Sequence, residues 1–197
     1  MSRFSRREFL GGAAASFFIG GCATKAAARK VAANSKINVG VIGCGLIAKT
    51  TNVPGFLQDP RCRITVVCDV VKIAPDYFYG GRNSNFGAEG FAKPDGSYRR
   101  DICGWQVVKD MVDAKYGDKA CRVVTDWREV IDDPTIDAVA ICTPDHWHAI
   151  MSIAAMKAGK HVFCQKPMSL CIEEGRAMVR VAKEMGVTFQ VGNQGST

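Results

Sequence analysis

Short apolar runs alternate with longer amphipathic stretches from residue 36 to the end of the chain. Ile37, Val39, Val41 and Ile42 read as a buried strand, β-branched and ending in glycine. A helix is expected from about Leu46 towards Leu57, bent or interrupted at Pro54-Gly55. Strand two covers about 63–68 and closes on Asp69. Trp105 to Tyr116 has helical spacing, with Val108, Met111 and Val112 on one face and Gly117 as a stop. Val123-Val124 is a short third strand, and Asp126 to Glu129 reads as a capping box opening a short helix that ends at Asp133-Pro134. Ile136 to Cys142 is strand four, followed by a helix from His148 to Ala158. His161 to Cys164 is strand five. A helix with Ile172, Met178, Val181, Ala182 and Met185 on its apolar face follows, and Val187 to Val191 is strand six. Strands alternating with helices predict an α/β fold: a doubly wound parallel sheet with right-handed crossovers and strand order 3-2-1-4-5-6.

The first strand runs into Gly43, Gly45 and Ala48, which satisfy Gly-x-Gly-x-x-Gly/Ala. Gly43 permits the tight turn, Gly45 lets the backbone approach a pyrophosphate, and Ala48 lets the new helix pack close to the strand. Cys44, Leu46 and Ile47 complete the turn, whose N–H groups face a phosphate at a helix N-terminus. The bland alternative is a glycine-rich turn without a ligand. Strand before, helix after and an acid closing strand two are the context a dinucleotide site needs. Asp69 stands where an adenosine ribose needs a carboxylate, which favours NAD because that charge repels a 2′-phosphate. Lys72 nearby keeps NADP open.

Residues 72–103 do not fit this alternation. Glycine, proline and asparagine are interleaved there with Tyr77, Phe78, Tyr79, Phe86, Phe91 and Tyr98. So long a loop within a domain is uncommon. It reads as a variable surface insertion, or as an aromatic flap over the cofactor near its adenosine end or a contact with a partner subunit.

Charge changes the picture little. The formal net charge is +7, but Arg3, Arg6, Arg7, Lys25, Arg29 and Lys30 stand against Glu8 alone in residues 1–30. The rest is close to neutral, so the basic balance is no argument for nucleic acid. The 9 cysteines form no Cys-x-x-Cys pair and no zinc-site spacing, so no metal is expected. Cys44, Cys68, Cys142 and Cys164 read as small apolar fillers of the core.

Residues 1–35 read as an address and a linker, with the folded domain at 36–197. Ser5-Arg6-Arg7-Glu8-Phe9-Leu10 resembles a twin-arginine export signal, which implies a periplasmic protein exported after folding. The weakly apolar stretch from Gly11 to Gly21 is shorter than the roughly 20 residues of a membrane span. Ile19-Gly20-Gly21-Cys22 also resembles a lipobox, which would anchor the protein through Cys22; ordinary cleavage after Ala26-Ala27-Ala28 is the alternative.

Three stretches follow strands four, five and six: Thr143-Pro144-Asp145-His146-Trp147-His148, Gln165-Lys166-Pro167 and Gly192-Asn193-Gln194-Gly195. All fall at carboxyl ends of strands, where open α/β sheets bind ligands. With the glycine motif and Asp69 they resemble the Gfo/Idh/MocA family. Thr143, Pro144 and His148 meet its Thr-Pro-x-x-x-His pattern. Lys166 and Pro167 meet Glu-Lys-Pro, whereas Gln165 does not. Gln165 keeps size and hydrogen-bonding capacity but lacks the carboxylate charge.

The resemblance implies an NAD(P)-binding Rossmann domain, a second substrate domain outside this chain, and an oligomer at full length. It also implies hydride transfer to or from a sugar or polyol carbon. It makes Lys166 the proton-transfer or substrate-orienting residue and His148 a second catalytic candidate and cofactor contact near the nicotinamide; a helix N-terminal histidine with a structural hydrogen bond is the alternative. Thr143, Pro144, Gln165 and Lys166 join the glycine turn as cofactor contacts, with Trp147 and Asn193 facing substrate. Two other readings stay open: a nucleotide-binding module without turnover, and an NAD-dependent glycosidase. Lys166 argues against the glycosidase. The chain by itself is expected to bind coenzyme and to reduce no sugar.

Overall fold

A computed structural model describes residues 35–74, 102–117 and 119–193. The export motif, Cys22 and most of the aromatic insertion lie outside the described residues.

The strands are β1 (Ile37–Ile42), β2 (Cys62–Cys68), β3 (Arg122–Val124), β4 (Ala138–Ile141), β5 (His161–Gln165) and β6 (Phe189–Gly192). They form one parallel sheet in the order β3-β2-β1-β4-β5-β6, as the alternation predicts. The sequence returns through helices because parallel neighbours need long crossovers. Helical residues 46–58 include a π-helical turn, Ala48–Asn52, before α1 (Val53–Gln58). Pro54 sits in the first turn of α1, where its missing N–H costs nothing. The expected interruption therefore falls just before Pro54. The remaining helices are α2 (Trp105–Tyr116), α3 (Trp127–Asp132), α4 (His148–Lys157) and α5 (Ile172–Met185).

Both sheet faces are covered near the centre. Val39, Val41, Ile64, Val67 and Ala140 pack on one face with α1 and α2. Ile42, Val66, Cys68, Val139 and Ile141 pack on the other with α3, α4 and α5. Strict alternation would put Ile64 and Val66 on one face. The β1–β2 register shifts between Val39 and Gly40, opposite Ile64 and Val66, and the bulge reverses the parity of β2. Gly40 lies at that shift; a Cβ there would be 2.4 Å from Val130 Cγ1, so α3 presses directly on β1.

Other departures are local. β4 is shorter than expected, although Ile136 and Cys142 just outside it are buried. β6 starts two residues later than expected. Ile172 is 70% exposed, because it extends the Gly175–Met178 stripe of α5 one turn beyond the buried part. Asp126 caps α3 by accepting the Arg128 N–H, one position before the capping box places it. No described helix is long and apolar enough to cross a membrane.

Candidate functional site

The sheet carries a cleft of about 620 Å³ at the carboxyl ends of β1, β2, β3 and β4. Ile42, Gly43 and Gly45 form one wall, Asp69 and Val70 the next, and Thr143, Pro144 and Trp147 a third. The strand order reverses between β1 and β4, and a doubly wound sheet opens a crevice at that switch point.

The glycine turn is held peptide by peptide. The Gly43 N–H donates to the Cys68 carbonyl at 2.8 Å, and the Lys49 N–H donates to the Gly45 carbonyl at 3.1 Å. Gly43 has φ +90°, and a Cβ there would stand 2.7 Å from the Cys142 carbonyl carbon. Only glycine fits both limits. Cys44 Sγ is buried and lies 3.7 Å from the Cys68 carbonyl. Burial, then the Asp69 charge, pushes this thiol well above its ordinary range, so it is a neutral spacer.

Asp69 holds the turn as well as facing the cleft. Its Oδ2 accepts the Cys44 N–H at 2.6 Å and its Oδ1 accepts the Val71 N–H at 2.9 Å. Carboxylate oxygens have further lone pairs for hydroxyl donors. Lys72, the residue that keeps NADP open, has its amine 5.6 Å from the Trp105 ring centroid.

Thr125, Asp126, Trp127 and Arg128 line the far end of the cleft. Sequence reasoning passed over them as a helix cap, although a cap directly after β3 must sit at the carboxyl edge of the sheet. The Arg128 guanidinium stacks 4.7 Å from the Trp127 ring centroid and donates to Asp126 Oδ1 at 3.2 Å.

Lys166, Gln165 and Asn193 do not line this cleft. Lys166 is exposed and leads into a cis peptide bond with Pro167. Gln165 is buried among side chains. Its Nε2 donates to Asn52 Oδ1 at 2.9 Å, and its Oε1 accepts the Lys166 N–H at 3.2 Å. Asn52 Nδ2 in turn donates to Cys142 Sγ at 3.0 Å. The amide that replaces the family acid thus ties the backbone of Lys166 to the helical segment after the glycine turn. Asn193 borders a separate cavity of about 550 Å³ with Asn52, Phe56, Phe163 and Gly192.

His148 differs most from expectation. Its ring is buried, with Nδ1 2.6 Å from the Pro167 carbonyl oxygen and Nε2 2.8 Å from that of Thr143. Carbonyl oxygens only accept, so a neutral ring donates to one of the two while both ring nitrogens face backbone. This geometry fits a residue that positions the turns after β4 and β5. Among the described residues, no group of His, Cys, Asp or Glu is placed to hold a metal ion.

The cleft, the glycine turn and the acid at the end of β2 fit a dinucleotide. Residues 37–193 match the family described as "Oxidoreductase family, NAD-binding Rossmann fold", GFO_IDH_MocA. Levoglucosan dehydrogenase of Pseudarthrobacter phenanthrenivorans is 46% identical over 67 residues, 34% of this chain and 17% of that protein. The scyllo-inositol 2-dehydrogenase (NAD(+)) of Bacillus subtilis is 48% identical over 64 residues, 32% of this chain and 19% of that protein. The structure of KijD10, a 3-ketoreductase from Actinomadura kijaniata in complex with NADP and TDP-benzene, superposes with a TM-score of 0.55 at 21% identity. That likeness, over 80% of this chain and 37% of the ketoreductase, concerns the fold alone. The matched stretches are thus a minor part of each relative's length. With this fold, this turn and this match over most of its length, the chain belongs to the Gfo/Idh/MocA family of oxidoreductases and carries its NAD-binding Rossmann domain.

Proposed function

We propose that the cleft binds NAD(H) and that the protein transfers hydride to or from a secondary alcohol of a sugar or polyol. The observation that carries this reading is the Asp69 carboxylate, 2.6 Å from the Cys44 amide of the glycine turn. One side chain stabilises the diphosphate turn and offers its charge to the ribose hydroxyls. That charge favours NAD over NADP. Arg128, the guanidinium in the cleft, is already engaged by Asp126 and Trp127.

When bound, the nicotinamide supplies the hydride chemistry; the protein supplies position and proton transfer. Gly43 and Gly45 admit the diphosphate against the backbone. Thr143, Pro144 and Trp147 wall the cleft beside the switch point. Lys166 takes or gives the hydroxyl proton, its backbone steadied by Gln165, and by His148 through Pro167. Its amine faces solvent here, and proton transfer of this kind requires bulk water to be excluded.

Titration of the purified polypeptide with NADH and NADPH, followed by fluorescence, tests the reading. Saturable binding with NADH the tighter ligand supports it; no binding of either coenzyme overturns it. Export by the twin-arginine route belongs to the same proposal and is supported by Arg6-Arg7. Replacing both arginines with lysine should leave the protein in the cytoplasm, read by cell fractionation. Labelling with palmitate that is lost in Cys22→Ala would identify the lipid-anchored form.

A further inference from the structure

The foot of the aromatic insertion is built into the glycine turn. Ala74 and Cys103 form an antiparallel bridge, with N–H to oxygen distances of 2.8 and 3.1 Å. Directly beside it, Gly104 donates its N–H to the Cys44 carbonyl at 2.9 Å. Lys49 reaches from the π-helical turn to the Ile102 carbonyl at 2.8 Å. Ile102 and Cys103 are each 1% exposed, so this foot is part of the core. Gly104 has φ +112°, and a Cβ on it would stand 2.5 Å from the Lys72 carbonyl oxygen. No other residue fits there without displacing backbone.

The geometry of one peptide unit gives this contact a consequence. In a planar trans peptide the C=O and the following N–H point in opposite directions. The Cys44 carbonyl and the Gly45 N–H share such a plane. Gly104 holds the carbonyl towards the foot, so the Gly45 N–H is turned away from it. Gly45 itself lines the cleft. The preceding plane is fixed by Asp69, which accepts the Cys44 N–H. Both peptide planes flanking Cys44 are therefore set before any ligand arrives.

We propose that Gly104 is a positioning residue for the coenzyme diphosphate, acting through the Cys44–Gly45 peptide, and that the foot of the insertion belongs to the nucleotide site. The proposal rests on the dinucleotide reading above. It gives the insertion a role at its base whatever its outer residues do.

Fluorescence titration with NADH on the full polypeptide tests it. Gly104→Ala breaks the hold on the Cys44 carbonyl and should weaken NADH by roughly three- to tenfold, the scale of one hydrogen bond. Lys49→Met loosens the foot without a backbone clash and should weaken NADH by about two- to threefold, part of that same bond. A merely structural role would lower the melting temperature and leave the affinity of the folded protein unchanged. Coupling is reciprocal, so saturating NADH should slow hydrogen exchange at the Ala74, Cys103 and Gly104 amides of the parent. That arm needs no variant and decides the matter if Gly104→Ala does not fold. Parental NADH affinity in both variants, or unaltered exchange at these amides, overturns the proposal while the dinucleotide reading stands. Failure of the parent to bind NADH or NADPH removes both.

Discussion

Gly43 meets two demands at once. Its φ is +90°, and a Cβ would lie 2.7 Å from the Cys142 carbonyl carbon and 2.8 Å from the Thr143 nitrogen. Those atoms belong to backbone and cannot swing aside like a side chain. Gly43→Ala should therefore cost at least about 1–3 kcal/mol, the usual range for a strained backbone position. Urea unfolding measures that loss, and the affinity for NADH should fall with it because the turn is the proposed diphosphate seat. Asp69 is different, because its charge and its two acceptor oxygens are separable. Asp69→Asn removes the charge and leaves one carbonyl oxygen for two amides, those of Cys44 and Val71. The expected result is a rise in NADPH affinity relative to NADH by about tenfold, equivalent to ~1.4 kcal/mol. Paired titrations give the ratio; an unchanged ratio would show that Asp69 does not select between the coenzymes.

At the level of elements, α4 does more than return the chain. Its first residue, His148, joins the turn after β4 to the turn after β5 through the carbonyls of Thr143 and Pro167. His148→Leu would remove the ring N–H that one of these carbonyls accepts, at roughly 1–3 kcal/mol if that carbonyl is left buried and unpaired. Denaturant unfolding should show the loss in the apo protein, where a purely proton-transferring residue would show none. The elements themselves were legible from the chain because helix and strand periods are local properties. The glycine turn was legible for the same reason: its geometry depends on neighbours within a few residues. The contacts that set the site were not. Gln165 meets Asn52 across 113 positions, and no spacing rule reports such a meeting. For His148 the resemblance left a catalytic and a structural reading open, and its ring destinations depend on how two strand ends lie in space. The parity change in β2 was hidden as well, since a bulge is a property of the pair rather than of either strand.

The whole molecule stores thiols in its core. Burial pushes Cys68, Cys121 and Cys142 up to about 12 and Cys164 to about 11, against an ordinary value of 9.0. A raised value means that the folded state holds these protons more tightly than the unfolded chain. Below about pH 9 both states are protonated, and the stability that depends on neutral thiols is fully present. As pH rises from 9 towards 12 the unfolded chain ionises first, and that stability is lost. Urea midpoints should hold level near pH 8 and fall between pH 9 and 12. Replacing Cys142 with alanine or serine should soften the fall.

The placement of these sulfurs bears on the export route proposed above. Of the described cysteines only Cys171 is exposed; Cys62 is half-buried and the rest are covered. Of the described cysteines, a polypeptide that meets an oxidant after folding offers it essentially Cys171 alone, whereas a chain threaded through a pore unfolded offers every one. Sheltering sulfur inside a parallel sheet suits a protein that is finished, coenzyme included, before it meets an oxidising compartment.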